Sequence, residues 1–477
     1  MSSFEFFAPC PRGLEAPLAA ELRAVAAAAG SAVMQVGAEA PGGVHFRGSW
    51  AAAFAANLHS RIASRVLLKI TVGGYRDERD IFALALGQAW EQWFSARQTL
   101  RVDVTAVKSP LKSLEFTTLR IKDAICDRLR EKTGSRPDID TAAPDVRVFA
   151  FVTVNQCTLY LDTSGEPLFK RGWRLDKGAA PLRENLAAGI LRLSGWEPGM
   201  TLYDPMCGSG TFIAEAAQAA LGIPPGSERR FAFEKIRGYD VGTWQTMKAE
   251  AMDARRRAKG SRAHLGIYGS DISGDMLVKA RANFERAGLP MLPLKQVDAR
   301  SMTPPSDTPG ILIANPPYGE RIEVRGRNAR GELIERDDDG RGAGRGADRD
   351  GGGRGAHGGG RGPRGGGRGD AEGGYREART NGEDDAAGFQ RARPEAGEEV
   401  DPEFFRLLGD SLKQRFVGWR AFVLTSDRGL PGLMRLRESQ KTPLFNGALE
   451  CRLFRFDMQA GSLKPREGKP ASEPRDE

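Results

Sequence analysis

The sequence predicts an α/β protein, with a doubly wound, Rossmann-like domain over its second half and a smaller α+β region before it. Three observations carry that prediction. A short apolar run leads through a glycine turn into a helix-like segment, Thr201-Leu202-Tyr203-Asp204-Pro205-Met206-Cys207-Gly208-Ser209-Gly210-Thr211-Phe212, as at the entry to an open parallel sheet. Downstream, Ile267 to Asp271 and Leu294 to Asp298 are strand-like runs that both end in aspartate. Gly310 to Ala314 then reads as a buried strand running straight into Asn315-Pro316-Pro317-Tyr318.

At 477 residues the chain exceeds what one hydrophobic core organises, so several domains are expected. Lys and Arg outnumber Asp and Glu by 70 to 62, and a formal charge of +8 suits a polyanionic partner. The five cysteines lie far apart with no C-x-x-C spacing, which argues against a disulfide framework or zinc site and for a reducing cytosol. The four histidines are scattered, and no metal is expected. The first residues lack a basic stretch followed by an apolar one, and no run of 18 apolar residues occurs, so neither export nor membrane insertion is expected.

Along the chain, residues 1–50 and 51–165 read as two α+β parts. Ile121, Ile125 and Leu129 recur at i, i+4, i+8 and predict an amphipathic helix over Thr117 to Arg130. Val146 to Val154 and Leu159 to Leu161 predict a hairpin. Residues 166–195 form a linker whose segment Leu182 to Leu193 carries Leu182, Leu186, Ile190 and Leu193 on one helical face. Lys108, Arg120, Lys122, Arg171 and Arg174 are the candidate contacts to a nucleic-acid backbone; the plain alternative for each is solvated surface charge. The Rossmann-like domain spans 196–323 and resumes at 401–460, where Ala421 to Thr425 and Leu449 to Phe456 are strands that finish the sheet. Between them, 324–400 is dominated by Gly, Arg and Asp with repeated Gly-Gly-Gly-Arg-Gly and cannot bury a core. It is either a solvated linker or an auxiliary RNA contact. The tail, 461–477, is polar.

In the glycine turn, Gly208 and Gly210 let the backbone pass close to a ligand. The turn lacks a Gly-Lys-Ser/Thr ending, and the next acidic strand end, Asp271, lies about sixty residues on, not the roughly twenty of a dinucleotide fingerprint. Asp271 is assigned to ribose hydroxyls, Asp298 to an adenine amino group and Asp204 to the amino end of the cofactor, with helix capping the alternative for any one of them. Pro205, Cys207, Gly208, Ser209, Gly210, Thr211, Ile272, Ala299 and Asn315 complete the expected cofactor site.

In Asn315-Pro316-Pro317-Tyr318 the prolines stiffen the turn. The Asn315 amide oxygen and the Pro316 carbonyl can then accept hydrogen bonds from one exocyclic amine, stabilising positive charge as its nitrogen is alkylated. Tyr318 would stack on a base that has left its helix. The plain alternative is a rigid turn with a core tyrosine.

Asp204 to Thr211 and Asn315 to Arg321 resemble the two motifs of the RlmL-type guanine-N2 methyltransferases. Phe116 to Arg130 with Asp145 to Arg174 looks like the family's THUMP domain, and Ala180 to Leu186 like its linker helix. The resemblance implies a class I methyltransferase domain preceded by a ferredoxin-like/THUMP region, S-adenosyl-L-methionine as cofactor, and methylation of guanine N2 in 23S ribosomal RNA or a precursor ribosomal particle. The second methyltransferase half of some relatives, with its N7-guanine activity, is expected to be missing. Competing readings are guanine-N2 methylation of transfer RNA, adenine-N6 methylation of nucleic acid, and a noncatalytic RNA-binding assembly factor. Cytosine-C5 methylation would need a nucleophilic Cys beside the catalytic loop, and none is present there.

Overall fold

The computed structural model describes residues 3–30, 33–175, 182–259, 261, 263–316 and 402–459. Pro317, Tyr318, the Gly/Arg-rich insertion and the tail lie outside them.

The first sheet is built from β1 (Phe4–Pro9), β2 (Met34–Ala40), β3 (Gly43–Gly48), β4 (Leu67–Gly74), β5 (Leu100–Ala106), β6 (Val146–Val152) and β7 (Gln156–Asp162), in the order β2-β3-β1-β4-β7-β6-β5. Helices α1 (Glu15–Ala28), α2 (Trp50–His59), α3 (Glu78–Leu86) and α4 (Leu114–Thr133) accompany it. Among the described strands of this sheet, only β5 and β6 pair in parallel. The β1–β4 seam, Phe6↔Leu68 and Phe7↔Leu67, joins the two α+β parts into one sheet. Alternation decides which face is covered: Phe6, Phe46, Leu68, Val148 and Leu161 are buried in the apolar core, while their chain neighbours turn the other way.

The predicted amphipathic helix is α4. It starts earlier than its periodicity shows because the Ser113 side chain accepts from the Phe116 N–H, and it stops at Gly134, whose left-handed φ of 75° ends it. The predicted hairpin is β6–β7.

The second sheet contains β8 (Leu202–Asp204), β9 (Ile267–Asp271), β10 (Leu294–Gln296), β11 (Ile311–Ala314), β12 (Arg420–Thr425), β13 (Gln440–Asn446) and β14 (Leu449–Asp457), ordered β10-β9-β8-β11-β12-β14-β13. The first five are parallel; β14 runs antiparallel to β12, and β13 to β14. Helices α5 (Glu184–Leu193), α6 (Thr211–Ala220), α7 (Val241–Lys259), α8 (Gly274–Arg286), α9 (Pro402–Arg415) and α10 (Leu430–Leu433) accompany these strands. The sequence did not announce β13, which contains Pro443; as an edge strand it tolerates the missing donor.

One apolar core runs from the first sheet into the second domain. At the join, the Phe54 ring on α2 lies 4.7 Å from Phe233, which lies 4.8 Å from Trp244 on α7. A second core, with Phe405, Phe416 and Trp419, fills the space between α9 and the far face of the parallel sheet.

Candidate active site at the carboxyl edge of the parallel sheet

From β8 the chain builds outward to β9 and β10, then returns to place β11 on the other side of β8. This reversal opens a crevice at the carboxyl ends of β8 and β11, where open α/β sheets bind ligands. Parallel register brings residues distant in sequence to that edge. Asp204 ends β8 opposite Gly269, so Asp271 stands two residues further out on β9. Gln296 pairs with Asp271, and Asp298 follows it. Leu312 pairs with Tyr203 on the other side of β8, which puts Asn315 just beyond the level of Asp204.

The glycine turn is held by backbone and side-chain bonds. The Cys207 N–H donates to the Ser270 carbonyl (2.9 Å), Gly208 N–H to Asp271 Oδ2 (2.8 Å) and Gly210 N–H to the Cys207 carbonyl (2.8 Å). Gly208 and Gly210 have φ of 52° and 83°, and a Cβ on Gly210 would come 2.6 Å from the Phe284 ring. Gly210 also caps α6 without a side-chain hydrogen bond, leaving that helix N-terminus to a ligand. Thr211 opens the helix, and Ser209 and Thr211 are both buried.

Asp204 is buried, and burial pushes its carboxyl well above the usual carboxylate range; the Met206 N–H (3.1 Å) opposes the rise only partly, and the charge of Asp271 adds to it. Burial likewise raises the Cys207 thiol, so this cysteine is no ready nucleophile. Asp271 Oδ1 accepts from Ser273 N–H (2.9 Å), so the aspartate both shapes the turn and retains lone pairs for further donors. Ile272 beside it is 53% exposed, an uncovered apolar surface at the sheet edge. Asp298 caps the short turn containing Ala299, and both its oxygens meet the Arg300 guanidinium (2.6 to 3.0 Å). Burial works to raise its carboxyl, but the Arg300 bonds prevail and hold it below its ordinary value. Any adenine amino group would share Asp298 with Arg300.

Asn315 Oδ1 is buried and has no hydrogen-bond partner among the described residues. Buried polar atoms normally have one.

Two residues outside the sequence-based expectations support the turn. Asn283 on α8, fully buried, donates to the Ser209 carbonyl (3.0 Å), and Arg286 ties Asn283 to the Trp173 carbonyl of the linker. Their signal was faint: a polar residue beside the apolar stripe Leu277, Ala280, Phe284.

The candidate RNA contacts do not stay together. Lys108 is exposed in the loop after β5, at a left-handed φ of 54°. Arg120 lies over the Phe82 ring at 4.2 Å, and Lys122 pairs with Asp123 (2.9 Å). Arg171 and Arg174 are corrected. Arg171 is buried against fully buried Glu215 of α6 (3.0 Å), which Arg61 also reaches (3.3 Å). Arg174 meets Glu184 (3.5 Å), both nearly covered. Neither guanidinium faces solvent, because each packs beside a buried acid, Glu215 of α6 or Glu184 of α5.

Three family domains match the chain: an RlmL ferredoxin-like domain at residues 5–67, a THUMP domain at 75–162 and an RMKL-like methyltransferase domain at 171–333. The chain is 32% identical over 476 residues to the ribosomal RNA large subunit methyltransferase K/L of Aeromonas hydrophila, covering 96% of this chain and 55% of the relative. The chain thus carries, in order, an RlmL-like ferredoxin-like domain, a THUMP domain and an RMKL-like methyltransferase domain. To the enzyme of the same name from Psychromonas ingrahamii it is 40% identical over 324 residues, 66% of this chain and 42% of that one. It thus spans about half the length of these relatives. A putative methyltransferase solved in complex with SAH superposes with a TM-score of 0.70 at 24% identity, over 97% of this chain and all of that one, and shows the same fold. The matched methyltransferase domain and this likeness agree with the class I, Rossmann-like fold of the second sheet.

Proposed function

We propose that this RlmL-like chain methylates the exocyclic N2 of a guanine in 23S ribosomal RNA, free or in a precursor particle, in the cytoplasm. The observation that carries this reading is the Oδ1 of Asn315, buried and without a partner among the described residues, at the topological switch point beside a glycine turn fit for the cofactor. An acceptor kept without a donor is costly unless a substrate supplies one, and an exocyclic amine does.

On this reading Gly208, Ser209, Gly210 and Thr211 cradle the methionine end of the cofactor with Asp204, while Asp271, Ile272, Asp298 and Ala299 hold its nucleoside. Bound there, S-adenosylmethionine supplies the electrophilic methyl group. Asn315 Oδ1 and the Pro316 carbonyl accept the two amine hydrogens, aim the nitrogen lone pair and offset the charge that grows on nitrogen. Tyr318 stacks on the extruded base. The ferredoxin-like and THUMP parts bind RNA, and the domain limits are those read from the sequence. The relatives' printed name, large-subunit ribosomal RNA methyltransferase, supports the substrate class.

The test is to incubate the purified protein, labelled cofactor and protein-free large-subunit RNA, then digest to nucleosides. Label in N2-methylguanosine is the expected result. Label in N6-methyladenosine, or in transfer RNA alone, would overturn the substrate assignment.

A further inference from the structure

The face of the first sheet turned away from its helices carries an aromatic series. His45 on β3 lies 4.8 Å from Phe7 on β1, and Phe7 lies 6.1 Å from Tyr160 on β7. Tyr160 pairs in register with Phe149 on β6, and Phe151 follows on the same face. Phe7, Phe149, Phe151 and Tyr160 belong to neither apolar core; Phe151 is 39% exposed and Phe7 half-buried, while Tyr160 is buried and Phe149 lies under the Arg65 and Arg147 guanidiniums (5.3 and 5.5 Å). A folded chain gains little by leaving a ring such as Phe151 uncovered at the sheet surface.

Charge frames the series at both ends. On β1, the Glu5 carboxylate is shared by Arg47 of β3 and Lys69 of β4. On β5, the Asp103 carboxylate is shared by Arg101 and by Arg147 of β6. Each trio has two cations for one anion and is net positive. Within the second, Arg147 Nε and Asp103 Oδ2 are buried without a well-directed hydrogen bond. Four strand spacings of about 4.8 Å separate β1 from β5, roughly 19 Å, a span of several nucleotides. At the β5 end the face is continuous with the loop of exposed Lys108.

We infer that this sheet face holds a single-stranded segment of the RNA substrate, with bases stacked on Phe7 and Phe151 and phosphates drawn to the Glu5 and Asp103 trios. Rings between net-positive ends suit unpaired bases, whose faces are free, and not a duplex, whose faces are already stacked. The inference rests on the RNA-substrate reading above and adds a surface to it.

The experiment titrates the full chain with a fluorescent 12-nucleotide single-stranded RNA and with a duplex of equal length. The variants are Phe7→Leu with Phe151→Leu, which keep apolar strand residues but remove the rings, and Arg47→Gln with Lys69→Gln. The aromatic pair should weaken single-strand binding on the order of tenfold or more while leaving cofactor affinity unchanged. The charge pair should flatten the salt dependence. Equal binding by wild type and both variant pairs, or preference for the duplex, overturns the inference. So does a wild-type dimer in sedimentation that the aromatic pair dissolves, because the face would then be a protein interface. If wild type methylates ribosomal RNA and the variants bind the single strand as tightly, only this inference fails; if wild type neither binds nor methylates RNA, the substrate reading fails first.

Discussion

Replacing Asn315 by Ala separates stability from turnover. Asn315 Oδ1 is buried without a partner among the described residues, and an unsatisfied buried polar group costs about 1 to 3 kcal/mol. Asn315→Ala removes that penalty along with a small, half-buried side chain, so the variant should be as stable as wild type or more so. A gain of about 1 kcal/mol would appear as a melting temperature higher by about 2 to 4 °C for a domain of this size. Turnover should move the other way. The lost acceptor matters most as the amine becomes cationic, and deleting a comparable preorganised group costs about 2.7 to 4 kcal/mol, a rate loss of about a hundred- to a thousandfold. Single-turnover methylation at saturating enzyme and cofactor reads the rate, calorimetry the cofactor affinity, and thermal unfolding the stability. A rate within about threefold of wild type would refute the acceptor role. A melting temperature several degrees lower would mean that Oδ1 has a structural partner after all.

Asp204 makes a pH-dependent prediction. Its folded carboxyl titrates above its ordinary value because of burial, so stability falls as pH rises from the unfolded value near 3.9 towards the folded one. Asp204→Asn should therefore be more stable than wild type near neutral pH, yet bind cofactor more weakly. If the cofactor ammonium ionises this carboxyl, wild-type binding releases protons and weakens at lower pH; calorimetry in buffers of different ionisation enthalpy checks this, and absence of proton release refutes it. Asp271→Ala removes the anchor of Gly208 and Ser273 as well as the proposed ribose acceptor, and should weaken cofactor binding by at least about 1.5 to 3 kcal/mol; unchanged affinity would remove Asp271 from the site. Gly210→Ala forces a Cβ to within 2.6 Å of the Phe284 ring at a φ of 83°, and should cost at least about 1 to 2 kcal/mol from the left-handed backbone alone, read by chemical denaturation. Arg171→Ala leaves buried Glu215 short of a cation and should destabilise by about 3 to 5 kcal/mol. If it instead folds normally and loses RNA affinity with a shallower salt slope, Arg171 is an RNA contact.

The sequence by itself determined what is encoded over a few neighbouring residues. The turn at Gly208 and Gly210, the strand leading to Asn315, the periodic face of α4 and the linker helix all follow from local conformational preference or from apolar spacing. So does the succession of strand-end acids, because in a doubly wound sheet each such end falls on one edge. Tertiary structure alone decided what depends on partners far along the chain. The sequence offers Arg171 as a nucleic-acid contact or as surface charge, and the fold brings Glu215, 44 residues away, against it. Asn283 was a polar residue on an amphipathic helix until packing aimed it at the Ser209 carbonyl. β13 became a strand only because β14 offered it an edge. Period-two alternation can say that a strand has two faces, but which face the helices cover, and so which rings join the apolar core, is set by packing between elements that no local pattern records.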